Sequence, residues 1–260
     1  MPNWVRNKVY IEKKEVIKDC YGKDESGEEN FDFEKIIPMP KSLHLTSGGN
    51  QNIAIHYAIS LMSDDERENL LNKLKEKKCS FYGSYFDKIF KSSSIKEKYT
   101  KEEYEKENKE LKDIISGKKK QDWENIDYKG LGIKNLQDLG NTYINNILQY
   151  GCDTWYDWSC ENWGTKWGAC HTYYIDENNI EFDTAWSCPY NIFKEISKKY
   201  DTKVKVDFAD EDIGSNCGRL IFNKGKEVSF IEGDRYFAYK IWDYTDEDIE
   251  EIEREQEEND

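Results

Sequence analysis

Between residues 155 and 169 the chain reads WYDWSCENWGTKWGA, which places Trp155, Trp158, Trp163 and Trp167 within fifteen residues and uses half of the eight tryptophans in the sequence. Trp is large, rigid and amphipathic, so a cluster this dense fixes either the centre of a core or a recognition surface. Around it the residue pattern changes character twice, and those changes define the expected architecture.

Residues 4–12 alternate apolar and polar positions through Val5, Val9 and Ile11, the pattern of a first strand, and a short helix is expected from about Lys14 to Tyr21. The polar stretch from Gly22 to Asn30 reads as a loop. In FDFEKIIPMP the prolines Pro38 and Pro40 forbid a continuing helix, so an extended segment is expected. From Asn50 onward the spacing turns helical: Ile53, Ala54, Tyr57, Ala58 and Leu61 share one face, and Ser63 can cap a second helix carrying Leu70, Leu71 and Leu74. Residues 91–120 hold ten Lys against seven acidic residues, the composition of an exposed helix or insert. Leu136, Leu139, Tyr143, Ile144, Ile147 and Leu148 mark an amphipathic helix that Gly151 is suited to end.

The last part is mixed. Lys166 to Asp176 and Ile180 to Ala185 read as a hairpin, and Ile192, Phe193, Ile196 and Tyr200 after Pro189 as a helical face. KVKVDFA at 203–209 alternates strictly and is a strand. Cys217–Phe222 and Val228–Glu232 form a second hairpin, with Tyr236–Trp242 expected as one more strand. This order is the βαββαβ of a ferredoxin-like α+β sandwich, with a large helical insertion in the first crossover and a C-terminal β-hairpin extension. The expected domains are a core at 1–42 and 135–242, a helical insertion at 43–134, and an acidic helix or tail at 243–260.

Several motifs, in the same order, resemble the YubB ferredoxin-like family of phage- and plasmid-borne proteins: NWVRNKVYI, FDFEKIIPMP, WYDWSCENWGTKW, FDTAWSCP and ADEDIGSNCGR. The likeness covers about residues 1–42 and 135–222. It implies the same fold and a mobile-element origin, and carries over no catalytic residues.

Charge and composition narrow the chemistry. The net charge is −15, yet residues 243–260 hold eleven acidic residues and one Arg, which leaves −5 for the rest. The acidity belongs to a terminal segment, where Thr245 and Asp248 form a capping box. No run of about 20 apolar residues is present to span a bilayer, and the amino end lacks the apolar core of a secretory signal. The seven cysteines (20, 79, 152, 160, 170, 188, 217) are odd in number and scattered, which suits reduced thiols in a cytosol. A cytoplasmic protein is expected. No C-x2-C occurs, so an iron–sulfur or zinc cluster is not expected; Cys170 beside His171 is the nearest approach to a zinc pair.

Asp210, Asp212, Gly214 and Asn216 imitate the alternating ligands of a calcium loop. Ser215 stands at the sixth position and Ile221 at the twelfth, where Gly and Glu belong, so an Asx-turn explains the same residues. No cofactor is expected, and Asp210, Asp212 and Asn216 remain only weak metal candidates. The candidate binding residues are Trp155, Trp158, Trp163, Lys166, Trp167, Trp186 and Arg219. Two cations near so many aromatics suit a protein partner or a small nucleotide-like ligand better than a polynucleotide. The expected function is non-enzymatic: binding a host or defence-system component, as an inhibitor of bacterial immunity would. The alternatives are sequestration of a small nucleotide or signalling molecule in a pocket lined by Trp163, Trp167 and Trp186, or metal-dependent hydrolysis through Asp210 and Asp212.

Overall fold

Alternation in β1 (Trp4–Ile11) decides where the first core lies, because Val5, Val9 and Ile11 are buried while Trp4, Arg6, Lys8 and Tyr10 on the other face are half-buried. The computed structural model describes residues 3–23, 27, 29–76, 99–120 and 126–257. These form two compact units, residues 1–38 with 159–260 and residues 39–158.

In the first unit, β1 pairs antiparallel with β5 (Asn179–Ala185) and with β6 (Lys203–Asp210). β4 (Cys170–Tyr174) flanks β5, while β7 (Cys217–Asn223) and β8 (Lys226–Glu232) continue beyond β6, giving the order β4-β5-β1-β6-β7-β8. The four strands β6-β1-β5-β4 stand in the 4-1-3-2 order of a ferredoxin-like sheet, extended at one edge by the β7–β8 hairpin. Lys224 and Gly225 in that hairpin both have positive φ, 53° and 75°, as a two-residue turn of matching twist requires.

One face of this sheet carries the core. Phe182 stacks on Phe31 at 5.5 Å and on Phe193 at 6.1 Å, the latter from the helix Tyr190–Lys199, whose Ile192 and Ile196 are also fully buried. The helix Glu15–Cys20 adds Val16 and Ile17 to the buried set. The stretch expected to be a loop forms a short ladder instead, β2 (Tyr21–Lys23) on β3 (Glu29–Phe31), and FDFEKIIPMP contains a 3-10 turn at Phe33–Lys35 because Asp32 accepts a bond from Glu34 N at 2.9 Å.

Tyr236–Trp242 is not a strand. A helix runs from Arg235 to Ile241, capped by Asp234, whose carboxylate accepts from Phe237 N at 2.8 Å. Ala238 and Ile241 bury themselves on Ala209 and Cys217, so helical spacing matches the tertiary surface on offer. A last helix, Asp246–Glu257, begins with the reciprocal Thr245–Asp248 bonds and buries Ile249.

The second unit is helical. Ala54, Ile55, Ala58 and Ile59 of the helix Gly49–Ser60 pack against Leu136, Tyr143, Ile144 and Ile147 of the helix Leu136–Tyr150. The latter helix therefore belongs with residues 39–158, not with the sheet as the division at residue 135 placed it. Gly151, at φ 83°, ends it and donates to Ile147 O. Helix Asp64–Glu76 contributes Leu70 and Leu74, and its entry is fixed by Ser63 Oγ accepting from Glu66 N. Of the Lys/Glu-rich stretch, Lys101–Ile115 is a helix with a Thr100–Glu103 capping box, while residues 91–98 lie outside the described residues. No helix among the described residues is long and apolar enough to cross a membrane.

Candidate functional site

The tryptophan cluster divides along the chain. A helix runs from Trp155 to Asn162, and the boundary between units falls inside it, so Trp155 and Trp158 lie in the helical unit while Trp163 and Trp167 lie with the sheet. Trp158 is buried and Trp155 packs against Tyr156 at 5.7 Å. Trp163 is also core: its ring meets Phe33 edge-on at 5.8 Å and its Nε1 donates to Ile37 O at 2.9 Å. A pocket lined jointly by Trp163, Trp167 and Trp186 is thereby corrected, since burial removes Trp163 from any such surface.

Trp167 and Trp186 do come together. Lys166 Nζ lies 4.4 Å from the Trp167 ring centre and 4.6 Å from that of Trp186, a cation held by two indole faces. Trp4, at the start of β1, joins them with its ring 6.3 Å from Trp167 and 5.1 Å from His171. The segment 164–167 is pinned from beneath: Thr165 Oγ1 donates to Ala185 O at 2.7 Å, Ser187 Oγ to Gly164 O at 2.6 Å, and Ser159 Oγ to Lys166 O. Gly164 supplies the left-handed turn, at φ 85°.

Trp186 follows β5 in a conformation that L-residues avoid, with φ 72° and 41% of its surface exposed. Such a backbone costs of order 1–3 kcal/mol, whereas an exposed cation–π contact returns about 0.5–1 kcal/mol. The geometry is imposed by its neighbours: Trp186 N donates to Asn3 O at 2.9 Å, and Asn216 Nδ2 donates to Trp186 O at 3.1 Å. Asn216 in turn holds Asp210 Oδ2 at 3.0 Å, and Asp210 Oδ1 accepts from Asp212 N at 2.9 Å. Both oxygens of Asp210 are thus engaged, Oδ1 in an Asx-turn with Asp212 N and Oδ2 by the Asn216 amide that also bonds Trp186 O. Among the described residues no three His, Cys, Asp or Glu side chains converge to hold a metal.

Beside the aromatics, Asp183 is buried on the sheet face opposite Phe182, between Arg6 Nε at 3.2 Å and His171 Nδ1 at 3.0 Å. His171 sits where the β4–β5 register shifts, with φ 46°, and that irregularity aims its ring at Asp183 and away from Cys170, whose thiol faces Gly168 O. The two do not form a zinc pair. Burial raises the Cys170 thiol above its ordinary range and the enclosed Cys188 thiol well above it, so neither is primed as a nucleophile. The Arg6 guanidinium also stacks 4.3 Å over Trp242. Arg219, the other sequence-predicted cation, is elsewhere on the sheet; it forks onto Asp207, its cross-strand neighbour, at 2.5 and 2.8 Å. Trp4 is the site residue that sequence reasoning missed. The signal was present, because an indole on the polar side of a β1 alternation has no core to enter.

A family described as "Ferredoxin-like domain in Api92-like protein" matches residues 162–259, the stretch that holds β4 to β8 and the last two helices. A second, described as Enkurin and calmodulin-binding, matches residues 7–122. Among solved structures, the crystal structure of a protein api92 from Yersinia pseudotuberculosis is similar over 90% of this chain and 98% of that one, at 14% identity and a TM-score of 0.35. No curated protein matches. The family match names Api92-like proteins and not the YubB family that the motifs resemble. The carboxyl-terminal part of the chain, residues 162–259, is similar to the ferredoxin-like domain of Api92-like proteins.

Proposed function

We propose that the protein is a binding module, not a catalyst, that engages another protein through the surface made by Trp4, Lys166, Trp167, His171 and Trp186. The observation that carries this reading is Trp186: a 41%-exposed indole whose backbone is held at φ 72° by two neighbouring hydrogen bonds. Tryptophans are among the residues that dominate protein interfaces. Tyr173, on the same edge of the sheet and 60% exposed, extends the apolar area. The finer form of the proposal, a host or defence-system component as partner and a mobile element as source, rests on the motifs shared with phage- and plasmid-borne proteins.

The calmodulin-binding description of the match over 7–122 agrees with protein binding in general. It gives no particular support to calmodulin, because the helix Lys101–Ile115 carries four Lys against six acidic residues, whereas calmodulin targets are basic amphipathic helices. Metal-dependent hydrolysis through Asp210 and Asp212 has less support, since both Asp210 oxygens are engaged, one by Asp212 N and one by the Asn216 amide that bonds Trp186 O.

The test compares immobilised full-length protein with a Trp167→Ala/Trp186→Ala variant of matched melting temperature. A protein retained stoichiometrically by the first and reduced at least ~10-fold on the second is expected, in keeping with an aromatic hot spot of about 2 kcal/mol or more. Equal retention by both overturns the reading.

A further inference from the structure

We infer that Trp167 and Trp186 form a cation clamp, that Lys166 is its resident occupant, and that an alkylammonium group on a basic segment of the partner takes the same place. This rests on the binding reading above and names the chemistry of its partner. Two indole faces lie 4.4 and 4.6 Å from one ammonium, both well inside the roughly 6 Å over which a ring attracts a cation. The backbone that carries the two rings is tied down before anything binds. Trp167 follows a segment tied down at Gly164, Thr165 and Lys166, and Trp186 is gripped on both sides of its peptide. Lys166 itself reaches the rings on a flexible four-carbon stem.

The surrounding charge favours the same sign of ligand. Asp210 lies behind Trp186 through Asn216, and Glu211 pairs with Trp4 at the backbone, its carboxylate accepting from Trp4 N at 2.9 Å. Outside the acidic segment 243–260 the chain still carries −5. An anionic ligand would meet carboxylates and rings whose faces are negative. A cation meets what Lys166 already meets.

The probe is tetramethylammonium chloride, titrated against equal concentrations of sodium chloride into the full chain, with the indole Nε1–H signals followed by NMR. Three proteins are compared: unaltered, Lys166→Ala, and Lys166→Ala/Trp186→Ala. Lys166→Ala is expected to show a saturable shift confined to the signals of Trp167 and Trp186, with an affinity roughly 5-fold above the unaltered chain because the competing ammonium is gone. The double variant is expected to show none. If Lys166→Ala shows no saturable shift, or if the double variant keeps it, the clamp is overturned. Lys166→Gln repeats the comparison should the alanine variant melt early. The retention experiment above uses no ammonium probe, so failure of the clamp and failure of the binding surface are read separately.

Discussion

Trp163→Ala is expected to lower the stability of the sheet unit by about 3–5 kcal/mol, the range for deleting a buried aromatic. The indole is 6% exposed, packs edge-on against Phe33, and satisfies the carbonyl of Ile37. Removing it opens a cavity beside the Phe31–Phe33–Phe182 stack and leaves that carbonyl without its donor. Urea unfolding followed by near-ultraviolet dichroism measures the loss. Trp186→Ala provides the contrast: 41% of its surface is exposed and it fills no core, so the change should stay within about 1 kcal/mol. A Trp163→Ala loss below that same 1 kcal/mol would place Trp163 outside the core.

Gly140→Ala is expected to destabilise the helical unit by about 3 kcal/mol, at the upper end of what overpacking costs. The sign is a contest between two effects. Alanine is the better helix former by about 1 kcal/mol. Yet a Cβ at this position would stand 2.1 Å from Ala54 O and 2.7 Å from Ala58 Cβ, and a backbone carbonyl cannot turn away as a side-chain tip does. The two helices would have to part, exposing Ile55, Tyr143, Ile144 and Ile147 along the same seam. Asn145→Ala, an exposed site on the same helix, makes a somewhat smaller gain in propensity with no collision and should be neutral or slightly stabilising. Far-ultraviolet dichroism during chemical unfolding separates the two variants; equal stability would show that the helices do not meet at Gly140.

Much of this architecture was legible in the chain because local chemistry and tertiary demand agree. The alternation in 203–209 is β6, whose Val204 and Val206 are fully buried, and the Lys224–Gly225 turn closes the β7–β8 hairpin as Gly permits. Ser63 and Thr245 cap the helices that their spacing announces. Where tertiary context outweighs propensity, the sequence misleads. The run RYFAYKI is rich in aromatics that suit a strand, yet Asp234 caps it and the small residues Ala209 and Cys217 receive it as a helix. Leu136–Tyr150 has a clear apolar stripe, but a stripe does not say which core it enters. Tryptophan density marked the stretch 155–169 in the sequence, while the division into buried Trp158 and Trp163 and surface Trp167 depends on where the helix from Trp155 ends and on the left-handed turn at Gly164. The pairing of Arg219 with Asp207 was not legible, because the two are twelve residues apart in sequence and adjacent only across the ladder.

The division of the tryptophans is the claim on which the binding surface stands, and hydroxyl-radical footprinting read by mass spectrometry tests it most directly. Trp186 and Trp167 are expected to oxidise readily, and Trp158 and Trp163, each 6% exposed, to stay protected until the protein unfolds. Oxidation of Trp163 as fast as that of Trp186 in the folded protein would contradict it.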